Sequence, residues 1–377
     1  MEVYVAGVGM TKVGEHWEKG IVELAGEAAL RAIEDANVRN IDYIIVTSMV
    51  ADAHNRFGNL ANAVADYIGF HGVPSFRVEA ACASGGVGVN TAYEIVKGSD
   101  KTVLVIGVEK LSDFTTAANT SAMMLAEDWT TGASIGATFV SLNALALRYY
   151  LEKFHADHDS IMMLPVICHE HAIGNPYAQF RRKISLEDVK KSPVIADPMH
   201  LLEASAYGDG AAALVLSPKK ADVEIIASTL ATDQFRIANR DDPLTFKAVK
   251  KAAVEAYAQA KIGPTDIGIM EIHDAFSITG VIALEDLGFA EKGEGWKLIK
   301  REEISLNGRL PTNTFGGLKA RGHPVGATGI YQIVEITLQL RGEAGTNQVD
   351  SPRIGLAENI GGIATTATIH ILRRKEY

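Results

Sequence analysis

Two similar stretches of the chain decide its fold. Ala28–Val38 reads AALRAIEDANV and is followed by the apolar run IDYIIV, which begins at Ile41. Ala252–Ile262 reads AAVEAYAQAKI and is followed by IGIMEI, which begins at Ile267. Apolar residues three and four apart predict a helix in each first segment, and the short apolar runs predict buried strands. A repeat of about 220 residues indicates a duplicated domain rather than a solenoid.

Further matches follow in the same order in both halves. Ala83-Ser84-Gly85 opens a helix that leads to TVLVIGVE, and Ala327-Thr328-Gly329 opens one that leads to RIGLAENIGG. Each half then ends on a glycine turn and a strand, in YGDGAAALVLS and NIGGIATTATIHIL. Alternation of helices and strands predicts an α/β layer architecture. In the first half, buried strands are predicted at Val3–Val8, Tyr43–Met49, Thr102–Val108 and Ala211–Ser217.

These matches divide the chain into two core halves and an insertion. We predict an N-terminal core half at 1–111 and 201–218 and a C-terminal core half at 222–377. The segment 112–200 has weaker strand character and several prolines, so we interpret it as a loop domain over one face of the core.

Composition excludes several classes of protein. The 377 residues include 36 Lys and Arg against 46 Asp and Glu, and a net charge of −10 disfavours nucleic-acid binding. A hydrophobic fraction of 47% with 22% charged residues excludes disorder. Two cysteines cannot build a disulfide framework, and no apolar stretch reaches the roughly 18 residues that a membrane span needs. The opening MEVYVAGVG is typical of a strand rather than a leader, so we expect a cytoplasmic protein.

Cys82 is a candidate nucleophile. It lies in VEAACASGGVGVNTAYEIVKG, between a strand-like run and a helix predicted to begin at about Ser84. Unpaired backbone N–H groups at a helix N-terminus favour a thiolate, so we expect a lowered pKa for Cys82. A backbone N–H in the same turn can stabilise an oxyanion. The alternative is a small buried cysteine in a tightly packed turn.

The second half offers partners for this cysteine. His323 lies in the glycine-dense loop TNTFGGLKARGHPVGATG, just before the helix that corresponds to the Cys82 helix. His273 lies in EIHDAF at the end of a strand, and ENIGG at Glu358–Gly362 ends another. The two equivalent helix starts would then face each other across a pseudo-twofold axis. One histidine alone is more often structural, but a Cys and two His at element ends indicate nucleophilic and acid–base chemistry.

Other candidate sites are weaker. His155, His158, His169 and His171 lie beside Cys168, but their spacing is that of no zinc motif, and we expect packed or solvated side chains and no metal. Gly7-Val8-Gly9 begins a dinucleotide-like turn that fails at Lys12. The compact basic cluster Arg181-Arg182-Lys183, with Lys319 and Arg321 beside His323, gives candidates for binding an anionic phosphate.

Several motifs together resemble the thiolase superfamily over essentially the whole chain. The likeness is greatest to its SCP2-type branch and, within that, to archaeal acetyl-CoA acetyltransferases of the mevalonate route. The segments that carry it are CASGG at Cys82, HDAF at His273, GGLKARGHPVGATG at His323, NPYAQF at Asn175–Phe180 and EDLGFAEKGEG at Glu285–Gly295. The resemblance implies a duplicated five-layered α-β-α-β-α core with an inserted loop domain.

The resemblance also implies roles for the site residues. Cys82 would carry the acetyl group as a thioester, and His323 would activate Cys82 and help to stabilise the enolate of a second acetyl-CoA. His273 would hold a water in that oxyanion hole. The N–H groups of Cys82 and Gly361 would form the hole for the tetrahedral intermediate. Coenzyme A thioesters would be substrates and no cofactor is implied, while CoA phosphates would need local cations such as Arg181, Arg182 and Lys183.

The implied activity is acetyl-CoA C-acetyltransferase, which condenses two acetyl-CoA to acetoacetyl-CoA and CoA and feeds the mevalonate pathway. The implied partners are a second copy in a homodimer or tetramer, an HMG-CoA synthase, and a zinc-ribbon/OB-fold protein of the DUF35 type.

One departure from the family pattern leaves alternatives open. Family members use a second cysteine as base for the acyl-CoA α-proton, but its two usual positions hold Asn359 and Ala275. Nothing in the motif around Cys168 suggests that it replaces this base. Loss of the base would leave acyl transfer intact and slow carbon–carbon bond formation, or His273 or a water held by Asn359 would substitute for it. The missing second cysteine leaves three alternatives open. The protein resembles decarboxylating ketoacyl synthases in its Cys-His-His set, it is a thiolase-like acyltransferase or lyase working with a DUF35 partner, or it is a non-catalytic acyl-CoA-binding scaffold.

Overall fold

The computed structural model describes residues 1–130 and 132–375. Nine of its eleven strands form one sheet in the order β3-β2-β4-β7-β1-β8-β11-β10-β9, and the other two form a hairpin. The strands are β1 (Tyr4–Met10), β2 (Tyr43–Thr47), β3 (Ser75–Val78), β4 (Val103–Glu109), β5 (Val194–Ala196), β6 (Met199–His200), β7 (Gly210–Ser217), β8 (Val223–Thr232), β9 (Ile269–Glu271), β10 (Ile354–Gly361) and β11 (Thr366–Arg374).

Eleven α-helices accompany these strands in the described residues. They are α1 (Ile21–Ala36), α2 (Leu60–Tyr67), α3 (Ser84–Gly98), α4 (Thr116–Met123), α5 (Phe139–Phe154), α6 (His158–Ala172), α7 (Leu186–Lys191), α8 (Lys247–Ala260), α9 (Ser277–Asp286), α10 (Gly295–Lys300) and α11 (Thr328–Arg341). No helix in this part of the chain is long and apolar enough to cross a bilayer.

The sheet shows the predicted duplication as a mirrored strand order. From the centre outwards the first half runs β1, β7, β4, β2, β3, and the second runs β8, β11, β10, β9, followed by a single parallel bridge from Met270 to Thr312. The halves join where β1 and β8 pair in antiparallel register at Tyr4–Glu224 and Val5–Val223. The internal repeat predicted the two halves and did not predict that one sheet would run through both.

Helices and sheet halves stack in the five layers that the sequence resemblance implies. α1 packs outside the first half of the sheet and α8 outside the second, while α3 and α11 contact strands of both halves and lie between them. Glycines let these central helices touch, because a Cβ on Gly329 would lie 2.4 Å from the Gly86 backbone nitrogen. The predicted α/β class and five-layered core are therefore confirmed.

The dinucleotide-like glycines of β1 serve packing. A Cβ on Gly7 would lie 2.3 Å from the carbonyl oxygen of Ala32 in α1, so glycine lets helix and strand approach closely. The side chains of Ala28, Ala29 and Ala32 on this face are fully buried.

The segment between β4 and β7 contributes four helices, α4 to α7, and the β5–β6 hairpin. α6 packs on α9 and α10 of the second half, and α5 also contacts α9. These contacts lay the segment against the second half, and the division into two core halves and a loop domain at 112–200 stays a prediction.

Candidate active site

A cavity of about 570 Å3 opens between the core and the inserted segment. Cys82, His273 and His323 line it, together with apolar side chains such as Phe139 and Phe246. Among the described residues no lysine or arginine lines this cavity. It therefore suits an uncharged, largely apolar ligand portion, with a few polar groups to orient it.

The structure brings together the three residues that the sequence singled out. Cys82 Sγ and one imidazole nitrogen each of His273 and His323 all lie within 4.8 Å of one another. The two rings meet edge to face, with centroids 5.1 Å apart. Three separate turns deliver these side chains, namely those before α3, before α9 and before α11. Their chemical roles stay predictions that the geometry permits.

A strained turn presents Cys82. Ala81 has φ +53°, in the left-handed region that residues other than glycine seldom adopt. The Ser84 hydroxyl closes the turn, because it accepts from the Ala80 N–H at 2.8 Å and donates to the Ala81 carbonyl at 2.6 Å. α3 begins at Ser84, as predicted. Cys82 is thus held at the helix start by backbone geometry.

The expected lowering of the Cys82 pKa is wrong. Burial, together with the nearby Glu109 carboxylate, raises the pKa of Cys82 to about 12, although hydrogen bonds from the Cys82 and Gly362 N–H groups act in the opposite direction. The helix N-terminus is a local effect, and the loss of water around the sulfur outweighs it. The resting thiol is therefore neutral and needs a base.

His323 is oriented by its own helix start. Its Nδ1 lies 2.7 Å from Thr328 Oγ1, and that hydroxyl lies 3.3 Å from the Pro324 carbonyl, which can only accept. We assign the hydroxyl hydrogen to the Pro324 carbonyl, and with this assignment His323 donates from Nδ1. Burial, followed by the nearby His273 and the cations Arg321 and Lys319, holds the pKa of His323 well below its usual value. His323 is neutral, with a free lone pair on Nε2.

Asn359 connects His273 to the nucleophile turn. Its Nδ2 group donates to the Cys82 carbonyl at 3.1 Å and to His273 Nδ1 at 3.0 Å, while its Oδ1 accepts from the Gly86 N–H at 3.1 Å. Burial, followed by the charges of Arg321 and Lys319, lowers the pKa of His273 to about 3. Both amide hydrogens of Asn359 are thus engaged by protein groups. The expectation that Asn359 holds a catalytic water is not supported by this arrangement.

The predicted oxyanion glycine lies one residue away from the cavity wall. Gly362, which has φ +61°, lines the cavity, and its N–H acts to lower the pKa of Cys82. Gly361 is buried in β10 and is not part of the lining. These contacts favour Gly362 as the second N–H donor, and the role of Gly361 stays a prediction.

Sequence reasoning missed Glu109 at the end of β4. Its carboxylate is fully buried, and Ser48 Oγ and the N–H groups of Met49, Val50 and Gly326 donate to it at 2.7 to 3.2 Å. Burial raises the pKa of Glu109 despite these bonds. Because Gly326 belongs to the His323 loop, Glu109 links the nucleophile half to the base half. No local motif marks this role.

Lys319 and Arg321 are not phosphate ligands. Both side chains are buried: Lys319 Nζ donates to the carbonyls of Glu203 and Ala275, and Arg321 Nε lies 2.9 Å from Glu335 Oε1. A buried cation with these partners braces the loop from behind and cannot reach a ligand in the cavity.

Arg181, Arg182 and Lys183 lie outside the cavity lining, on the surface of the inserted segment. Arg181 donates to the Ile173 carbonyl, and Lys183 pairs with Glu170. A role for this cluster in binding CoA stays a prediction.

The histidines between 155 and 171 do not gather into a site. The partners of three of them are Glu203 for His158, the Arg182 carbonyl for His169 and the Asn313 carbonyl for His171. In residues 1–130 and 132–375 the one metal-capable grouping is Cys82, His273 and His323 itself. Since His273 Nδ1 accepts from Asn359, its Nε2 carries the hydrogen and has no lone pair for a metal. The donor set therefore does not fit a metal ion.

Comparison with known proteins identifies the family. Residues 3–220 match the model of the thiolase N-terminal domain, and residues 229–374 match that of the thiolase C-terminal domain-like family. The chain is 41% identical to acetyl-CoA acetyltransferase of Methanothermobacter thermautotrophicus, over 99% of this chain and 100% of the relative. It is 30% identical to human sterol carrier protein 2, over 98% of this chain and 71% of that protein.

The solved structure of an Ltp2-ChsH2(DUF35) aldolase superposes with a TM-score of 0.85 at 24% identity, over 99% of this chain and 98% of that one. At this identity the likeness speaks for the fold. The family models and the full-length relatives together show that the chain belongs to the thiolase family of acyltransferase enzymes.

Proposed function

We propose that the protein is an acetyl-CoA C-acetyltransferase that condenses two acetyl-CoA to acetoacetyl-CoA and CoA through an acetyl-Cys82 intermediate. The observation that carries this proposal is the meeting of Cys82 Sγ with two neutral imidazoles in one cavity. A relative 41% identical over the full length and named for this activity supports it.

In the first half-reaction His323 Nε2 takes the thiol proton of Cys82. The sulfur attacks the acetyl carbonyl, and the Cys82 and Gly362 N–H groups donate to the developing oxyanion. Collapse breaks the bond to CoA sulfur, which leaves with the proton from His323. Acetyl-Cys82, CoA and a neutral imidazole result, so the site is ready for a second thioester.

In the second half-reaction a second acetyl-CoA loses an α-proton and becomes an enolate, which attacks acetyl-Cys82. His273 faces the same cavity, where it stabilises the enolate oxygen directly or through a water. Cys82 leaves as the carbon–carbon bond forms. The lack of lysine and arginine among the described residues of the cavity lining fits the acyl and pantetheine portion of the substrate, and the phosphates of CoA then lie outside.

We further propose a cytoplasmic enzyme in the mevalonate route, acting as a homodimer or tetramer with an HMG-CoA synthase and a DUF35 protein. One protein with the same fold, the Ltp2-ChsH2(DUF35) aldolase, includes a DUF35 component in its own assembly. An acyltransferase or lyase assisted by such a partner is the second candidate, since neither Asn359 nor Ala275 supplies a thiol base. Cys82 in the cavity argues against the lyase and against a non-catalytic scaffold.

One assay separates these functions. The protein is incubated with acetoacetyl-CoA and CoA, release of acetyl-CoA is followed, and covalent adducts are trapped for intact-mass analysis. We expect turnover with an adduct of acetyl mass. An adduct without carbon–carbon cleavage would indicate an acyltransferase only. Tight CoA binding with no adduct would contradict both catalytic candidates and leave the scaffold.

A further inference from the structure

The orientation of the Asn359 amide follows from three neighbouring groups. The Gly86 N–H can only donate, so the atom 3.1 Å from it is the amide oxygen. The Cys82 carbonyl can only accept, so the atom 3.1 Å from it is the amide nitrogen. Rotating the amide by half a turn would place its NH2 group against the Gly86 N–H, so that two donors meet, and its oxygen against the Cys82 carbonyl, so that two acceptors meet. The second hydrogen of this nitrogen then points to His273 Nδ1 at 3.0 Å.

This amide fixes the tautomer of His273. A neutral imidazole has one N–H, and a nitrogen that accepts a hydrogen bond cannot carry it. Because His273 Nδ1 accepts from Asn359, the hydrogen lies on Nε2. The ring is 2% exposed and burial keeps it neutral, so this tautomer persists over the working pH range. His273 is a donor and has no lone pair free to act as a base.

His323 has the opposite tautomer. Its Nδ1 donates to the Thr328 hydroxyl, and its Nε2 keeps the lone pair. The two rings, with centroids 5.1 Å apart, therefore have different roles at Nε2: His273 donates a hydrogen bond there, and His323 can accept a proton there. Besides Cys82 and the two histidines, the ionisable side chains among the described lining residues are Glu15, which is exposed, and Tyr207, whose pKa burial raises to about 12.

We propose that Asn359 is a positioning residue that holds His273 as a permanent hydrogen-bond donor, so that His323 alone serves as the base in both half-reactions. This inference rests on the proposed acetyltransferase function and explains how one site works without a second cysteine.

His323 can take and return every proton that the second half-reaction requires. After acetylation His323 Nε2 is again neutral, and it takes the α-proton of the second acetyl-CoA. The electron pair of the broken C–H bond forms the enolate, whose oxygen accepts from His273 Nε2–H. The enolate carbon then attacks acetyl-Cys82, the C–S bond breaks, and the Cys82 thiolate recovers the proton from His323. No oxidant, reductant or further base is needed.

The first test reads the tautomers in the unmodified protein. Histidine labelled with 15N is examined by long-range 1H–15N correlation at pH 8.5, with the ring signals assigned through His273→Gln and His323→Gln. We expect His273 to be protonated at Nε2 and His323 at Nδ1. The same tautomer on both rings, or Nδ1–H on His273, would overturn the proposal. This reading needs no turnover, so it stands apart from any failure of the acetyltransferase function.

The second test is Asn359→Asp at pH 8.5. A carboxylate at this position accepts from His273 Nδ1–H and so removes the hydrogen from Nε2. We expect condensation to fall about 10²- to 10³-fold, as for the loss of one oxyanion donor, while exchange of labelled CoA into acetyl-CoA falls less than about tenfold. The correlation spectrum should show the moved hydrogen.

The matched control is Thr328→Val, which frees the tautomer of His323. It should lower exchange and condensation to a similar extent, because His323 serves both half-reactions. If Asn359→Asp kept or raised condensation, His273 would be the second base and the proposal would be wrong. Equal losses of exchange and condensation in Asn359→Asp would also contradict it.

Discussion

Two equivalent helix starts face the same cavity, and they differ in the hydrogen-bond partners of the hydroxyl at the first helical residue. Ser84 begins α3 and Thr328 begins α11, each after an alanine and before a glycine. The Ser84 hydroxyl bonds the Ala81 carbonyl and closes the turn that carries Cys82. The Thr328 hydroxyl likewise bonds a turn carbonyl, that of Pro324, and in addition it bonds the ring of His323. The duplicated scaffold thus supplies one structural position twice, and the residues before it decide whether it positions a nucleophile or a base.

The equivalent strands β4 and β10 show a second difference of this kind. Both carry a buried glutamate near their carboxyl ends, Glu109 and Glu358. Glu109 accepts four hydrogen bonds, one of them from Gly326 in the other half. Glu358 Oε2 accepts from the His273 N–H, and its Oε1 has no hydrogen-bond partner among the described residues. One glutamate joins the halves and the other supports only a local turn.

Removing either reacting group should have the largest effect. Cys82→Ala and His323→Ala are each expected to lower the kcat of acetoacetyl-CoA thiolysis by about 10³-fold or more, because a nucleophile and its base act as a unit. The double variant should be no slower than the slower single variant. Losses that multiply would show that the two groups act separately.

Cys168→Ser is the matched control for that experiment. Cys168 is buried with its Sγ 3.5 Å from Asp274 Oδ2, and a serine hydroxyl keeps this hydrogen bond. We expect kcat to change little. A loss comparable to that of Cys82→Ala would make Cys168 part of the chemistry.

Removal of the Thr328 hydroxyl should mainly lower kcat, and removal of the Ser84 hydroxyl should mainly lower the free energy of unfolding. Thr328→Val removes the acceptor for His323 Nδ1–H at constant shape, and we expect kcat to fall about 10- to 100-fold. Ser84→Ala removes two hydrogen bonds from a strained turn and should lower the free energy of unfolding by about 1–3 kcal/mol. Kinetics and urea denaturation measure both, with Thr328→Ser as the conservative control. The same pattern in both variants would remove the distinction drawn between the helix starts.

The two glutamates should differ in stability and in its pH dependence. In Glu109→Gln an amide NH2 faces at least one hydrogen-bond donor, so we expect the free energy of unfolding to fall by about 1–3 kcal/mol. Burial raises the pKa of Glu358 from its usual 4.5 to about 8. The folded protein therefore binds this proton more tightly than the unfolded chain, and its contribution to the free energy of unfolding is lost as pH rises from about 4.5 through 8. Glu358→Gln removes that dependence. Denaturation at pH 5 and pH 9 should show a smaller decline in this variant, and an unchanged decline would contradict the assignment.

The charge state of the resting pair gives the smallest expected signal. Because the pKa of Cys82 is raised to about 12 and that of His323 is lowered, the pair is neutral at rest. Alkylation of Cys82 by iodoacetamide should therefore rise steadily with pH from 6 to about 9.5, without a plateau. The rate in Cys82→Ala corrects for Cys168. A plateau below pH 7 would indicate a thiolate–imidazolium pair instead.

Much of the fold was predictable because the duplication is written in local patterns. Helix periodicity placed α1 and α8, and the matching Ala83-Ser84-Gly85 and Ala327-Thr328-Gly329 segments placed α3 and α11. The three side chains of the site stood out as reactive groups in glycine-dense turns. The joining of both halves into one sheet rests on two residue pairs between β1 and β8, and no local pattern encodes them.

What the sequence could not predict depends on burial and on distant contacts. Glu109 and Gly326 are 217 residues apart, so their hydrogen bond leaves no trace in spacing. A basic pair beside His323 suggested anion binding, but burial makes Arg321 and Lys319 internal braces. The pKa of Cys82 was misjudged for the same reason, since a helix start is visible in sequence and desolvation is not.

The most direct test of the central claim maps the acetyl group. The protein is mixed briefly with acetyl-CoA, quenched in acid and digested, and the thioester is located by peptide mass analysis. We predict acetylation of Cys82 and none of Cys168, with the label lost on addition of CoA. Acetylation of Cys168, or formation of acetoacetyl-CoA with no label on Cys82, would contradict the account.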